Sequence, residues 1–165
     1  MLCPVRVWRN GMSSLKQLMT TDGIKCVLLA DRHHGLSEGI RCLLESEFEA
    51  VVMVADETSL IESAARMQPS LVVADLALAQ GESFGWLRRL LARRPESRVI
   101  VLSSHDALTI MEAAFDAGAA GFVLKRDIAT QLLGAVDEVL AGRRYLSPGV
   151  AGPPPLPSGG QSPKD

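Results

Sequence analysis

The feature that most constrains the fold is an alternation of short apolar runs with apolar residues at helical spacing. The five runs cover residues 26–30, 50–54, 71–75, 99–102 and 122–124. Each run is followed by apolar residues three or four positions apart, which is the pattern of an amphipathic helix. Strands joined by short helical crossovers form parallel sheets with helices on both faces. The sequence therefore predicts a doubly wound α/β domain, (βα)5, with a five-stranded parallel sheet.

The third run, Leu71 to Asp75, ends on a carboxylate. It is short, rich in β-branched residues and preceded by Pro69-Ser70, as expected for a strand that is covered on both faces. Asp75 would then lie at the carboxyl end of the strand, which is the edge where ligands bind in open α/β sheets. An aspartate at this place could also simply cap the next turn.

Polar side chains end four of the five predicted strands. They are Asp31, Asp75, Ser103 with Ser104, and Lys125. Two carboxylates, a hydroxyl and an ammonium at one sheet edge suit phosphoryl chemistry on an aspartate. Asp75 would be the nucleophile, Asp31 would help to hold a divalent metal, and Ser103 and Lys125 would contact phosphoryl oxygens. Taken singly, Ser103 could be a plain strand end and Lys125 an ordinary surface lysine.

Residues 25–146 resemble the receiver domains of two-component response regulators, which have the flavodoxin-like (βα)5 fold. The matching motifs are VLLAD at 27–31, Asp75-Leu76, LSSH at 102–105 and AGAAGFVLK at 117–125. The ending AGRRYLSP at 141–148 is similar to the NarL/FixJ-type subfamily, whose members carry a LuxR-type helix-turn-helix after a linker. The resemblance implies a signalling domain that catalyses at most its own phosphoryl transfer and dephosphorylation.

The resemblance also implies a role for each residue at the predicted edge. Asp75 becomes the phospho-acceptor, Ser103 the switch hydroxyl and Lys125 the phosphate-sensing lysine. The implied Mg²⁺ ligands are Asp31, Asp75 and the backbone carbonyl of Ala77. The switch or modulating positions are Arg32, Ser104, His105 and the aromatic Phe122, and Ala77 shares with His105 the control of acyl phosphate hydrolysis.

Two residues depart from the pattern of that family. Arg32 stands where a second acidic residue usually binds Mg²⁺, and Ala79 stands where a proline usually follows the phospho-acceptor aspartate. We expect weak Mg²⁺ binding, because an arginine in place of the acidic residue at position 32 removes a ligand and adds a positive charge. Arg32 could pair with Asp31 or Asp75 and partly replace the metal, or it could point into solvent. The alternative function is a pseudo-receiver, a phosphorylation-independent dimerisation or partner-binding module.

Other readings of the same residues find less support. A haloacid-dehalogenase-type phosphatase needs a second aspartate at position 77, which is alanine. A flavodoxin-like FMN carrier needs a phosphate loop after the first strand, and residues 31–35 do not form one. Without a third ligand nearby in sequence, the adjacent His33 and His34 are interpreted as a solvated loop.

Composition bounds the partners and the organisation of the chain. A formal net charge of -2 disfavours DNA binding by these 165 residues alone, and three cysteines without metal-ligand spacing fit a reducing cytosol. The expected partners are a sensor histidine kinase, a second copy in a homodimer, and DNA only through a missing C-terminal helix-turn-helix domain, with no membrane. Residues 1–24 are expected to be an extension with a possible short helix at 13–19, and residues 147–165 a Pro/Gly-rich linker to an absent output domain.

Overall fold

A computed structural model describes residues 25–79 and 83–150 of the chain. The predicted extension over residues 1–24, with its short helix at 13–19, lies outside these ranges. Residues 151–165 of the predicted linker lie outside them as well.

A parallel sheet forms the centre of the described structure. Its strands are β1 (Cys26–Ala30), β2 (Ala50–Val54), β3 (Leu71–Asp75), β4 (Val99–Ser103), β5 (Gly121–Leu124) and β6 (Tyr145–Leu146). The strand order is β2-β1-β3-β4-β5-β6, and every neighbouring pair is parallel. The predicted doubly wound fold is confirmed, but the predicted number of five strands is wrong, because the chain after the last helix adds β6.

Helices connect the strands as the periodicity predicts. They are α1 (His34–Leu44), α2 (Glu57–Met67), α3 (Gly85–Arg93), α4 (Leu108–Asp116) and α5 (Ile128–Leu140). Single 3₁₀ turns, Leu76–Leu78 and Lys125–Asp127, directly follow β3 and β5. Across residues 25–79 and 83–150, no helix has the length and apolar character needed to cross a membrane.

Alternation along the strands divides the core into two layers. Residues such as Leu28, Val72 and Val101 pack with α2, α3 and α4 on one face of the sheet. Their chain neighbours, such as Leu29, Val73 and Ile100, pack with α1 and α5 on the other face. Because side chains alternate between the faces of a strand, near-continuous apolar runs are required when both faces are covered.

The sixth strand is held mainly by backbone hydrogen bonds to β5 and the residue before it. The N–H of Tyr145 donates to the Ala120 carbonyl at 3.1 Å, and the N–H of Ser147 donates to the Phe122 carbonyl at 2.9 Å. A strand of two residues leaves no apolar run in the sequence, so periodicity could not predict it. Its consequence is that the chain leaving the domain starts beside β5.

Two glycines give a matched test of the packing. Gly118 ends α4 with a φ of +105°, and a Cβ built there would collide with Cδ1 of Leu91. Gly134 lies inside α5, and a Cβ there meets no atom within 4 Å. We expect Gly118→Ala to destabilise the domain by about 1–3 kcal/mol, because alanine is strained at that φ. We expect Gly134→Ala to stabilise it by roughly 0.5–1 kcal/mol. Urea unfolding of both variants measures the difference, and equal midpoints would contradict this account.

Candidate functional site

The register of the sheet brings the predicted polar residues together. Ala30 pairs with Ala74, so Asp31 and Asp75, which follow them, lie at neighbouring strand ends. Asp75 pairs with Leu102, which places Ser103 one strand further along. Ser103 pairs with Leu124, the residue before Lys125. All four predicted strand-end groups therefore lie at one edge of the sheet, as the sequence predicts.

Asp75 is buried and directly paired with Lys125. The residue is 2% exposed, and its Oδ2 accepts a hydrogen bond from Nζ of Lys125 at 2.5 Å. Its Oδ1 accepts a hydrogen bond from the backbone N–H of Ala77 at 3.0 Å, within the 3₁₀ turn after β3. The ammonium offsets the cost of burying the carboxylate, and the turn fixes its orientation.

Asp31 is a second buried carboxylate beside Asp75. Its Oδ1 accepts a hydrogen bond from the backbone N–H of His33 at 2.8 Å. Its Oδ2 is buried and has no hydrogen-bond partner among the described residues. Because an unpaired buried carboxylate oxygen is costly, this atom indicates a place for a cation.

His33 lies between the two carboxylates. Its Nδ1 is 3.4 Å from Oδ1 of Asp31 and 3.6 Å from Oδ2 of Asp75, although 65% of its side chain is exposed. These three residues each offer a ligand atom, and the atoms lie within 4.8 Å of one another. His33 is an exposed loop residue, as predicted, but the expectation that no further ligand lies nearby is wrong, because Asp31 and Asp75 are both close to its ring. Sequence spacing could not reveal the cluster, because Asp75 lies two strands later in the chain.

Arg32 is exposed and acts on a different carboxylate. Hydrogen bonds from the backbone and side chain of Ser59 lower the pKa of Asp56, and the positive charge of Arg32 lowers it further. Among the described residues, the cationic or basic groups beside Asp75 are Lys125 and His33. Arg32 thus points into solvent, which is one of the two predicted alternatives. The structure does not support the other, in which Arg32 pairs with Asp31 or Asp75.

The hydroxyl of Ser103 is engaged with the following loop. Its Oγ accepts from the backbone N–H of His105 at 2.9 Å and donates to the carbonyl of the same residue at 3.0 Å. Ser103 itself is fully buried, whereas Ser104 and His105 are exposed. A hydroxyl with this arrangement can rotate toward a new acceptor only by giving up its bond to the loop.

Phe122 is fully buried on β5 and packs in the layer formed with α2, α3 and α4. It therefore lies inside the domain, three residues before Lys125. Its predicted switch role remains a prediction.

A cleft of about 640 Å³ opens beside Asp75. Its polar lining consists of Asp75, Ser83, Arg88, Ser103, Ser104, His105 and Thr109, and Phe84 and Ile110 are among its apolar residues. Hydroxyl and guanidinium groups are donors suited to the oxygens of an anion. The Asp75 carboxylate thus borders a cleft that also holds groups able to bind an anionic ligand.

The residues present fit a divalent cation. Asp31 and Asp75 are both buried, Lys125 pairs with Asp75, and the Oδ2 of Asp31 lacks a partner within the described ranges. Carboxylate and carbonyl oxygens are the ligands of hard divalent ions. Asp31, Asp75 and the Ala77 carbonyl remain the predicted ligands.

The fold and the strand-end groups define the class as an open parallel α/β domain with two buried carboxylates and a lysine at one edge of its sheet, and comparison identifies the family. The sequence model described as the response regulator receiver domain matches residues 27–137. The chain therefore belongs to the response regulator receiver family, as its motifs predict.

Individual relatives and structures place it near LuxR-type regulators. The chain is 30% identical to the transcriptional regulatory protein DegU of Brevibacillus brevis over 126 residues, covering 75% of this chain and 53% of DegU. It is 35% identical to the DNA-binding transcriptional activator DevR/DosR of Mycobacterium tuberculosis, covering 73% of this chain and 56% of that protein. A LuxR-family response regulator from Aurantimonas sp. SI85-9A1 has a similar crystal structure, with a TM-score of 0.72 and 28% identity, covering 78% and 93% of the two chains. The chain thus spans about half the length of these curated relatives.

Proposed function

We propose that this receiver domain accepts a phosphoryl group on Asp75 from a sensor histidine kinase and thereby switches a transcriptional output. The observation that carries the proposal is the buried Asp75 carboxylate, which is held by Lys125 and borders an open cleft. Burial and a fixed orientation suit a carboxylate that acts as a nucleophile.

The placement of these groups supports the following course of transfer. A carboxylate oxygen of Asp75 attacks the phosphorus of a phosphohistidine, the O–P bond forms, and the P–N bond breaks as the imidazole leaves. Lys125 then moves from Oδ2 to a phosphoryl oxygen, and Ser103 exchanges its bond to the His105 loop for another phosphoryl oxygen. A divalent cation at Asp31, Asp75 and the Ala77 carbonyl would offset the negative charge of the phosphoryl group.

Contacts beyond Lys125 support a path from the site to the C-terminal segment. The guanidinium of Arg126 donates to Oδ2 of Asp106 at 3.0 Å and to the carbonyl of Gly149 at 2.9 Å. The hydroxyl of Ser147 donates to Oδ2 of Asp127 at 3.0 Å, and Ser147 is 1% exposed. A movement of the Lys125 turn is therefore mechanically linked to the start of the segment that we assign to the linker, residues 147–165.

The output itself would lie outside this sequence. DegU and DevR/DosR are named as transcriptional regulators, and this chain spans about half of each. We assign residues 25–146 to the receiver, and we propose that DNA contact belongs to a helix-turn-helix domain beyond the linker. A homodimer is the proposed form of the active regulator.

The proposal is tested by intact mass after incubation with Mg²⁺ and acetyl phosphate, or with a phosphorylated kinase domain. We expect one added phosphoryl group in the wild type and none in Asp75→Asn, because an amide oxygen is a poor nucleophile. Asp137→Asn is the matched control, since it makes the same change at an exposed carboxylate on α5 that does not line the cleft, and it should be phosphorylated as the wild type is. An unmodified wild type at saturating donor, or a modified Asp75→Asn, would overturn the assignment, and the first outcome favours the pseudo-receiver.

A further inference from the structure

We infer that His33 is a metal ligand and that the site with Asp31 and Asp75 binds a divalent first-row transition-metal ion, of which Co²⁺, Mn²⁺ and Zn²⁺ are examples, in preference to Mg²⁺. The inference rests on the proposed function in that both use Asp75. It concerns the metal alone, however, and can be tested without phosphoryl transfer.

Distances within the cluster suit coordination to one ion. The Nδ1 of His33 is 3.4 Å from Oδ1 of Asp31 and 3.6 Å from Oδ2 of Asp75. Two ligand atoms that are each about 2.1 Å from a tetrahedral ion lie about 3.4 Å apart. Two of the three separations therefore already match those around one metal ion, and the third is within 4.8 Å.

The backbone already holds His33 in this position. Its N–H donates to Oδ1 of Asp31, and its carbonyl accepts the N–H of Ser37 at 3.2 Å and the hydroxyl of Ser37 at 2.7 Å. Ser37 is fully buried in α1. Hydrogen bonds at the N–H and at the carbonyl of His33 therefore hold its backbone to the end of β1 and to α1. A ligand that is held in place before binding loses little freedom on coordination.

A second and independent observation points to a cation. The side chain of Asp31 is 0% exposed, and its Oδ2 has no hydrogen-bond partner within the described part of the chain. Asp31 and Asp75 together carry two negative charges, and Lys125 supplies one positive charge at Asp75. Within the described residues, Arg32 is exposed and forms no ion pair with Asp31 or Asp75.

The donor set decides which ion is favoured. Mg²⁺ prefers oxygen ligands in a near-octahedral arrangement, whereas an imidazole nitrogen binds transition-metal ions well. Position 32 offers a guanidinium where a carboxylate would supply a further oxygen, and His33 offers a nitrogen one residue later. The site thus combines two carboxylates with one imidazole. Compared with a site of oxygen ligands alone, this donor set favours transition-metal ions over Mg²⁺.

Calorimetric titration of the untagged 165-residue protein with Co²⁺ and with Mg²⁺ tests this inference, together with the visible absorption of bound Co²⁺. A polyhistidine tag is avoided because it binds the same ions. We expect His33→Ala to weaken Co²⁺ binding by about tenfold or more and Mg²⁺ binding by less than about twofold, since only the nitrogen ligand is lost. The Co²⁺ absorption spectrum should also change in His33→Ala.

Two variants serve as controls. His105→Ala removes the histidine at the cleft, which is outside the cluster, and should leave the Co²⁺ to Mg²⁺ affinity ratio unchanged. Asp75→Asn should weaken both ions and thereby place binding at this site. An equal loss of Co²⁺ and Mg²⁺ affinity in His33→Ala, or no loss of either, would overturn the inference. Preferential Co²⁺ binding by a protein that accepts no phosphoryl group would support the inference and overturn the proposed function.

Discussion

Lys125→Ala should lower the free energy of unfolding by about 3 kcal/mol at neutral pH in the absence of divalent ions. The physical reason is that removing one partner of a buried ion pair leaves the other charge uncompensated, which costs about 3–5 kcal/mol. Asp75 is 3% exposed in its side chain and Lys125 is 15% exposed, so we take the lower end of that range. The midpoint temperature of thermal unfolding should fall by roughly 6–12 °C for a domain of this size.

A double-mutant cycle separates the charge from the packing of the lysine chain. In an Asp75→Asn background, we expect Lys125→Ala to cost about 1 kcal/mol, because no ionised partner remains at position 75. Lys25→Ala is the matched control, since Lys25 is exposed immediately before β1 and should change stability by less than about 0.5 kcal/mol. Equal costs of Lys125→Ala in the two backgrounds would show that the pair contributes no coupling.

Strand ends were predictable because the register of a parallel sheet leaves little freedom. Once alternating strands and helices are inferred, the residues at or just after the carboxyl ends of β1, β3 and β5 must lie at one edge. Asp31, Asp75 and Lys125 were identified on this ground, and their positions need no knowledge of side-chain rotamers. The two faces of the core followed from the same periodicity.

Features that depend on side-chain direction or on single hydrogen bonds were not predictable. The place of His33 beside Asp75 depends on a turn closed by the Asp31 carboxylate, a contact that leaves no spacing signal in the sequence. Arg32 could point into the crevice or away from it, and its long flexible chain makes both directions accessible. β6 was missed because Tyr145–Leu146 is stabilised by backbone bonds to its neighbours rather than by an apolar run.

Arg32→Asp should tighten Mg²⁺ binding by about 10- to 100-fold. With a doubly charged ion about 6 Å away and a water-like dielectric, each unit of protein charge is worth about 1.4 kcal/mol, so a change of two units gives about 3 kcal/mol. Screening at physiological ionic strength reduces this to roughly half. The water-like value applies because Arg32 is exposed, and the new carboxylate would add an oxygen ligand beside Asp31.

Calorimetric Mg²⁺ titrations of three variants distinguish charge from ligation. Arg32→Ala removes one unit of charge without adding a ligand, so its Mg²⁺ affinity should lie between those of the wild type and Arg32→Asp. Arg93→Asp changes the net charge by the same two units at the C-terminal end of α3, which lies at the opposite edge of the sheet because crossover helices run antiparallel to their strands. It should bind Mg²⁺ as the wild type does. If Arg32→Asp gains no more Mg²⁺ affinity than Arg93→Asp, neither the charge nor the side-chain type at position 32 controls Mg²⁺ binding.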